Sequence, residues 1–310
     1  AKRRGSGSRS ASNGVLAPVL TPFDADLLPD PRRFARLCLW LARQDCGLAM
    51  FGTNSEGNSL SVDERLDLLD AAVEAGVPAA RMLPGTGSCA LPDAVRLSRA
   101  AVAHGCAGVL ALPPFYYKTI TDDGLFAFFS ELIERVGDAR LRVYLYHIPP
   151  VAHVGFSHAL VERLLTRYPV VVAGMKDTGG DWAYTTRTLE QFAAEGFGVY
   201  AGTETLLLET LRLGGAGCIS ATANVNPGPI VQLWRSWRDA DAQARQDALN
   251  ALRGAFSAYP LIAAMKAAIA QATGDAGWNR LRPPLTPLDE RQRQALGDAL
   301  QGLSFTIDAL

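Results

Sequence analysis

From Gly14 to Ser220 the chain alternates short apolar runs with longer stretches patterned every three or four residues. This rhythm is the strongest limit on its fold. The runs are 15–20, 48–52, 81–85, 108–112, 141–146, 170–175, 198–202 and 217–220. They are largely apolar, as parallel strands buried on both faces would be. Helical patterns separate them at 91–104, 122–135, 157–167, 183–195 and 204–213, and Ser61 with Glu64 forms a capping box ahead of another. Eight strand candidates with intervening helices predict an α/β chain folded as a closed (β/α)8 (TIM) barrel. An open doubly wound sheet is the alternative, but its usual GxGxxG turn does not follow 15–20.

After Pro227 the strand pattern stops, and 229–239, 242–258, 260–272 and 288–300 read as helices. The expected organisation is a barrel over 14–238 and a C-terminal helical extension over 239–310. Residues 1–13, AKRRGSGSRSASN, predict a disordered tail.

Composition removes several function classes. The 30 basic and 31 acidic residues leave a net charge of −1, which argues against nucleic-acid binding through bulk positive charge. No apolar run approaches the ~18 residues of a membrane helix, so no membrane span is expected. The cysteines, Cys38, Cys46, Cys89, Cys106 and Cys218, are scattered, with no CxxC and no histidine at ligand spacing. That pattern suits a reducing, cytoplasmic setting better than a disulfide scaffold or a zinc module.

Barrel enzymes carry their chemistry at the C-terminal ends of strands. The expected strand ends hold a lysine, tyrosines and small hydroxyl residues, with no carboxylate or histidine cluster to suggest a metal. Lys176 ends the run VVVAGM, where an ammonium is costly to desolvate and a neutral amine could attack a ketone to form a Schiff base. The competing readings are a lysine reaching outward to solvent or one paired with Asp177. Tyr146 ends LRVYLY, and alternation puts it on one face with Tyr144, opposite Val143 and Leu145. A phenol there could carry protons or could simply be a core tyrosine. The turn Gly52-Thr53-Asn54-Ser55 could aim N–H groups and hydroxyls at a carboxylate, or be an ordinary loop. Among the histidines, His147 is singled out only because it adjoins Tyr146.

In order along the chain stand APVLTPF, GTNSEG, PGTG, PPFYYK, YHIP, GMKD and GGAGCISATANV. Taken together these motifs, spread over 14–301, resemble the dihydrodipicolinate synthase / N-acetylneuraminate lyase family of class I aldolases. The resemblance implies that Lys176 forms an imine with pyruvate or another 2-keto acid and that Tyr146 carries protons. It further implies that Thr53 supplies a linking hydroxyl, that Thr53 and Asn54 bind the keto-acid carboxylate, and that Ile219 offers its carbonyl near the substrate. A tyrosine of PPFYYK would cross into a neighbouring subunit's site; counting from Pro114 favours Tyr116, with Tyr117 open. A homodimer or homotetramer is therefore expected, with no metal or organic cofactor.

Two departures bear on the substrate. The usual GTTGE or GSTGE is here Gly52-Thr53-Asn54-Ser55-Glu56. The arginine that grips aspartate semialdehyde in true dihydrodipicolinate synthases falls, by ungapped counting, at Val151, with His153 a weaker donor nearby. The expectation is a lyase that cleaves, condenses or dehydrates a 2-keto (sugar) acid. The alternatives are dihydrodipicolinate synthase itself, condensing pyruvate with aspartate semialdehyde, and a non-catalytic keto-acid sensor.

Overall fold

The computed structural model describes residues 14–307 and Leu310. The segment 1–13, expected as a disordered tail, lies outside the described residues. Seven parallel strands form one sheet: β1 (Gly14–Ala17), β2 (Gly47–Leu48), β3 (Val109–Ala111), β4 (Val143–His147), β5 (Val172–Asp177), β6 (Gly198–Ala201) and β7 (Gly217–Ile219). Their spatial order is β2-β1-β7-β6-β5-β4-β3, a curled succession in which every neighbouring pair is consecutive in sequence except β1 and β7.

The expected strand at 81–85, third in chain order, is not a continuous strand. Met82 makes one parallel bridge to Leu48 and Gly85 one to Leu110. On one side the N–H groups of Leu83 and Gly85 donate to the Leu48 and Met50 carbonyls. On the other, the Met82 and Pro84 carbonyls accept from Ala107 and Leu110. Pro84 has no N–H to return, so the ladder toward β3 breaks there.

Helices wrap the sheet: α1 (Pro31–Arg43), α2 (Val62–Glu74), α3 (Leu91–Ala103), α4 (Asp122–Val136), α5 (Pro149–Ala152), α6 (His158–Arg167), α7 (Trp182–Phe192), α8 (Leu207–Arg212) and α9 (Pro227–Arg235). The C-terminal helices are α10 (Ala242–Ser257), α11 (Leu261–Thr273) and α12 (Glu290–Gly302). The capping box at Ser61 and Glu64 is formed as expected. Helix α1 went unread in the sequence, although its signals are local. Asp30 accepts hydrogen bonds from the Arg32 and Arg33 N–H groups, and Pro31 sits in the first turn. Phe34, Leu37, Cys38 and Leu41 then line its buried face.

The pleat separates two apolar layers. Tyr144 and Tyr146 point inward with Leu16, Leu110, Tyr200 and Ile219. Val143, Leu145 and Met175 point outward against Phe129, Leu160 and Leu164 of the helices. The alternation expected for β4 is thus the observed one. Inward space is tight. A Cβ on Gly174 would collide with the Gly198 carbonyl and lie 2.7 Å from the Tyr144 ring, so glycine two residues before Lys176 makes room for that ring. The C-terminal helices share one core with the first strands: Leu252, Phe256, Met265 and Ile269 cluster with Val15, Leu37 and Leu48.

Candidate active site

Strands β4 and β5 pair in parallel with Tyr146 opposite Lys176. Two residues at one level of a sheet point to the same face, so both side chains enter the interior. Lys176 is 1% exposed, and its Nζ lies 3.2 Å from the Tyr146 Oη, to which it donates. The Nζ also stands 4.3 Å from the centre of the Tyr146 ring. Neither alternative reading of Lys176 matches this placement. It does not reach solvent, and Asp177 points to the other face, where it accepts from the Thr185 hydroxyl (2.5 Å) and the Gly179 N–H (2.8 Å).

The second partner of the Tyr146 hydroxyl is Thr53 Oγ1, at 3.0 Å. Thr53, Tyr146 and Lys176 therefore form an unbroken chain of polar atoms, although 93 and 30 residues separate its links in sequence. The turn that presents Thr53 is tightly built. Phe51 and Glu56 both take left-handed backbone angles, with φ of 64° and 55°. Glu56 N–H donates to the Thr53 carbonyl (3.1 Å) and Gly57 N–H to that of Gly52 (3.0 Å). A Cβ on Gly57 would run into the Phe51 carbonyl. The Thr21 hydroxyl donates to the Ser55 carbonyl at 2.6 Å, tying the turn to the end of the first strand segment.

The other expected site residues lie as follows. Asn54 follows Thr53 in the same turn and is half-buried, and Ile219 ends β7, fully buried, facing the interior. Tyr116 and Tyr117 are not brought to the Lys176 group in this chain. They are 73% and 76% exposed, with rings packed edge to face at 5.3 Å. Val151 is 61% exposed on α5, and His153 follows it in an exposed left-handed turn. His147, watched because it adjoins Tyr146, faces outward. It stacks on Tyr184 at 4.2 Å, and its Nδ1 accepts from the Phe156 N–H. Burial, helped by the nearby His158, pulls its pKa down to about 4, so it is neutral at ordinary pH.

Several polar residues next to the site were missed. Glu56 is fully buried and pairs with Lys266 of α11, also fully buried. Lys266 further donates to the Arg280 carbonyl (2.8 Å), and burial lowers its pKa against the opposing pull of Glu56. The other Glu56 oxygen accepts from the Arg282 N–H at 3.2 Å. The available signal was Lys266 itself, a lone charge within the apolar run LIAAMKAAIA. A second buried acid, Glu204 after β6, accepts from Ser220, Thr222 and Arg253 of α10. Among the described residues no group of three or more His, Cys, Asp or Glu could hold a metal ion.

A sequence profile of the Dihydrodipicolinate synthetase family matches residues 11–303. The 4-hydroxy-tetrahydrodipicolinate synthase of Acidiphilium cryptum is 33% identical over 94% of this chain and 99% of its own length. The crystal structure of dihydrodipicolinate synthase from Agrobacterium tumefaciens superposes with a TM-score of 0.85 and 30% identity, covering 94% of this chain and 99% of that one. YagE, a prophage protein of E. coli in the same family whose structure holds pyruvate, superposes equally well, with a TM-score of 0.85, 29% identity and coverage of 94% and 98%.

Proposed function

Because the chain belongs to the dihydrodipicolinate synthetase family of lyases, we propose that it forms an imine between Lys176 and a 2-keto acid and cleaves or makes a bond next to it. The observation that carries this reading is the buried Lys176 Nζ, 3.2 Å from the Tyr146 hydroxyl and linked through it to Thr53. The neutral amine adds to the C2 carbonyl. The oxygen leaves as water with one amine hydrogen and one proton from solvent, both relayed by Tyr146, and the second amine hydrogen stays on the nitrogen of the protonated imine. The protonated imine then accepts the electron pair of the C3–C4 bond as the C4 hydroxyl gives up its proton and departs as an aldehyde. Protonation at C3 and hydrolysis release pyruvate and the free lysine. Condensation is the reverse. Asn54 and Thr53 hold the keto-acid carboxylate, and Ile219 presents its carbonyl beside the substrate.

Three finer readings belong with it. The bridges at Met82 and Gly85 support a ring closed between β2 and β3, a (β/α)8 barrel. The exposed aromatic pair Tyr116–Tyr117 suits burial against a second copy across a two-fold axis, with Tyr116 reaching Thr53 of that copy. The five free cysteines suit a cytoplasmic enzyme.

For the second substrate, Val151 stands where a carboxylate clamp would need an arginine. This favours an aldehyde fragment without a carboxylate, such as that of a 2-keto-3-deoxy sugar acid. The test is a panel of such acids, N-acetylneuraminate, 4-hydroxy-2-oxoglutarate, and pyruvate with aspartate semialdehyde, followed by pyruvate release or uptake. The expected result is kcat/KM of about 10⁴ M⁻¹s⁻¹ or more for a sugar acid. Comparable efficiency with aspartate semialdehyde would return the chain to dihydrodipicolinate synthase.

A further inference from the structure

The turn that carries Thr53 is strained where it need not be. Glu56 occupies a left-handed conformation that glycine would adopt freely, and its carboxylate is turned into the protein, away from the chain of polar atoms at Lys176. The carboxylate is held entirely from the C-terminal extension: by Lys266 Nζ on one oxygen and the Arg282 N–H on the other. Lys266 is itself held by the Arg280 carbonyl and lies 4.7 Å from the Phe23 ring centre. The backbone of the same Glu56 donates to the Thr53 carbonyl. A shift of Glu56 therefore passes through one hydrogen bond to Thr53, whose hydroxyl must stay within reach of Tyr146.

We propose that the buried Lys266–Glu56 pair is the device by which the C-terminal extension holds the Thr53 hydroxyl against Tyr146, making Glu56 and Lys266 positioning residues for proton transfer at the site. This rests on the proposed imine chemistry. Neither residue touches substrate; both act through Thr53. The Glu204–Arg253 pair provides an internal control. It also joins a strand-end glutamate to the extension, but its hydrogen bonds go to Ser220 and Thr222, away from the Thr53 turn.

The experiment follows exchange of the pyruvate C3 hydrogens into D2O by NMR, alongside borohydride trapping of the pyruvate imine, in the full chain. Glu56→Gln is expected to slow exchange by about tenfold or more while the reduced adduct on Lys176 still forms. Thr53→Val removes the hydroxyl itself. Added to Thr53→Val, Glu56→Gln should slow exchange less than about twofold further, because both changes break the same link. Arg253→Met, in contrast, should multiply with Thr53→Val. If Glu56→Gln proves too unstable to purify, Glu56→Gln/Lys266→Met removes both charges together and is read the same way. Glu56 effects that multiply with Thr53→Val, or wild-type exchange in a folded Glu56 variant, would overturn the positioning role and leave the imine chemistry standing. A wild-type protein that neither exchanges nor traps pyruvate would overturn both.

Discussion

Strands β4 and β5 run side by side, and each ends in two ionisable residues: Tyr146 and His147 on one, Lys176 and Asp177 on the other. By residue type alone, the histidine and aspartate look the more catalytic couple. The pleat decides otherwise. Tyr146 and Lys176 enter the interior, where they bond to each other and, through the tyrosine, to Thr53. One residue further on, His147 and Asp177 turn into the layer between sheet and helices. There the histidine accepts from Phe156 and stacks on Tyr184, and the aspartate accepts from Thr185 and Gly179. The outer pair has its hydrogen bonds taken by the fold. The inner group keeps an amine and two hydroxyls bonded to one another in the interior. A shift of one residue in a strand thus separates polar contacts within the fold from the inner group proposed to react.

The largest expected effect breaks this comparison directly. Tyr146→Phe should lower kcat by roughly 10³-fold, within the span for a lost acid–base group. His147→Phe, on the adjacent position, should keep kcat within a few-fold of wild type. Equal losses from the two changes in steady-state assays would show that the inner and outer faces do not differ in function.

The next effect concerns the rim. Tyr116→Phe should lower kcat by about 10²-fold if its hydroxyl completes the chain at Thr53 of a second copy. Mixing Tyr116→Phe with Tyr146→Phe subunits should then restore part of the activity, since a hybrid dimer contains one site with both tyrosines. No recovery after verified subunit exchange would point to Tyr117 or to a residue of the same chain.

The smallest effect sharpens the description of the outer pair. His147 has a folded-state pKa near 4, below its ordinary value, so between these values the unfolded chain binds the extra proton. Its contribution to stability is fully present above about pH 6.5 and is lost as pH falls toward about 4, amounting to about 2 kcal/mol between about pH 7 and about pH 5. Burial raises the Asp177 carboxyl, which works in the opposite sense, favouring the folded state as acid protonates it. Denaturant unfolding of wild type and His147→Phe at both pH values isolates the histidine, because Asp177 is common to the two. An equal pH slope in both proteins would mean that His147 is not buried neutral.

Much of this was legible in the sequence because it depends on short periods. Alternation alone places Tyr144 and Tyr146 together and Val143 and Leu145 opposite, and the apolar run before Lys176 marks a buried lysine. Pro84 was visible too, yet the run at 81–85 was read by its apolar character and the missing donor was overlooked. The chain of Thr53, Tyr146 and Lys176 was reached through the order of motifs, since no local pattern reports a contact across 93 residues. The Glu56–Lys266 pair, 210 residues apart, had no motif to connect its members, only the oddity of a charge in an apolar helix. The reach of Tyr116 and Tyr117 is set by what packs on them, and strand periodicity carries no information about that.

The central claim is that Lys176 is the residue that bonds to the keto acid, and one measurement addresses it most directly. Borohydride added in the presence of pyruvate, followed by intact-mass measurement and peptide mapping, should give one reduced pyruvate per chain, located on Lys176. An adduct on Lys118 or Lys266, or a protein that remains unmodified while pyruvate is present in excess, would contradict the account.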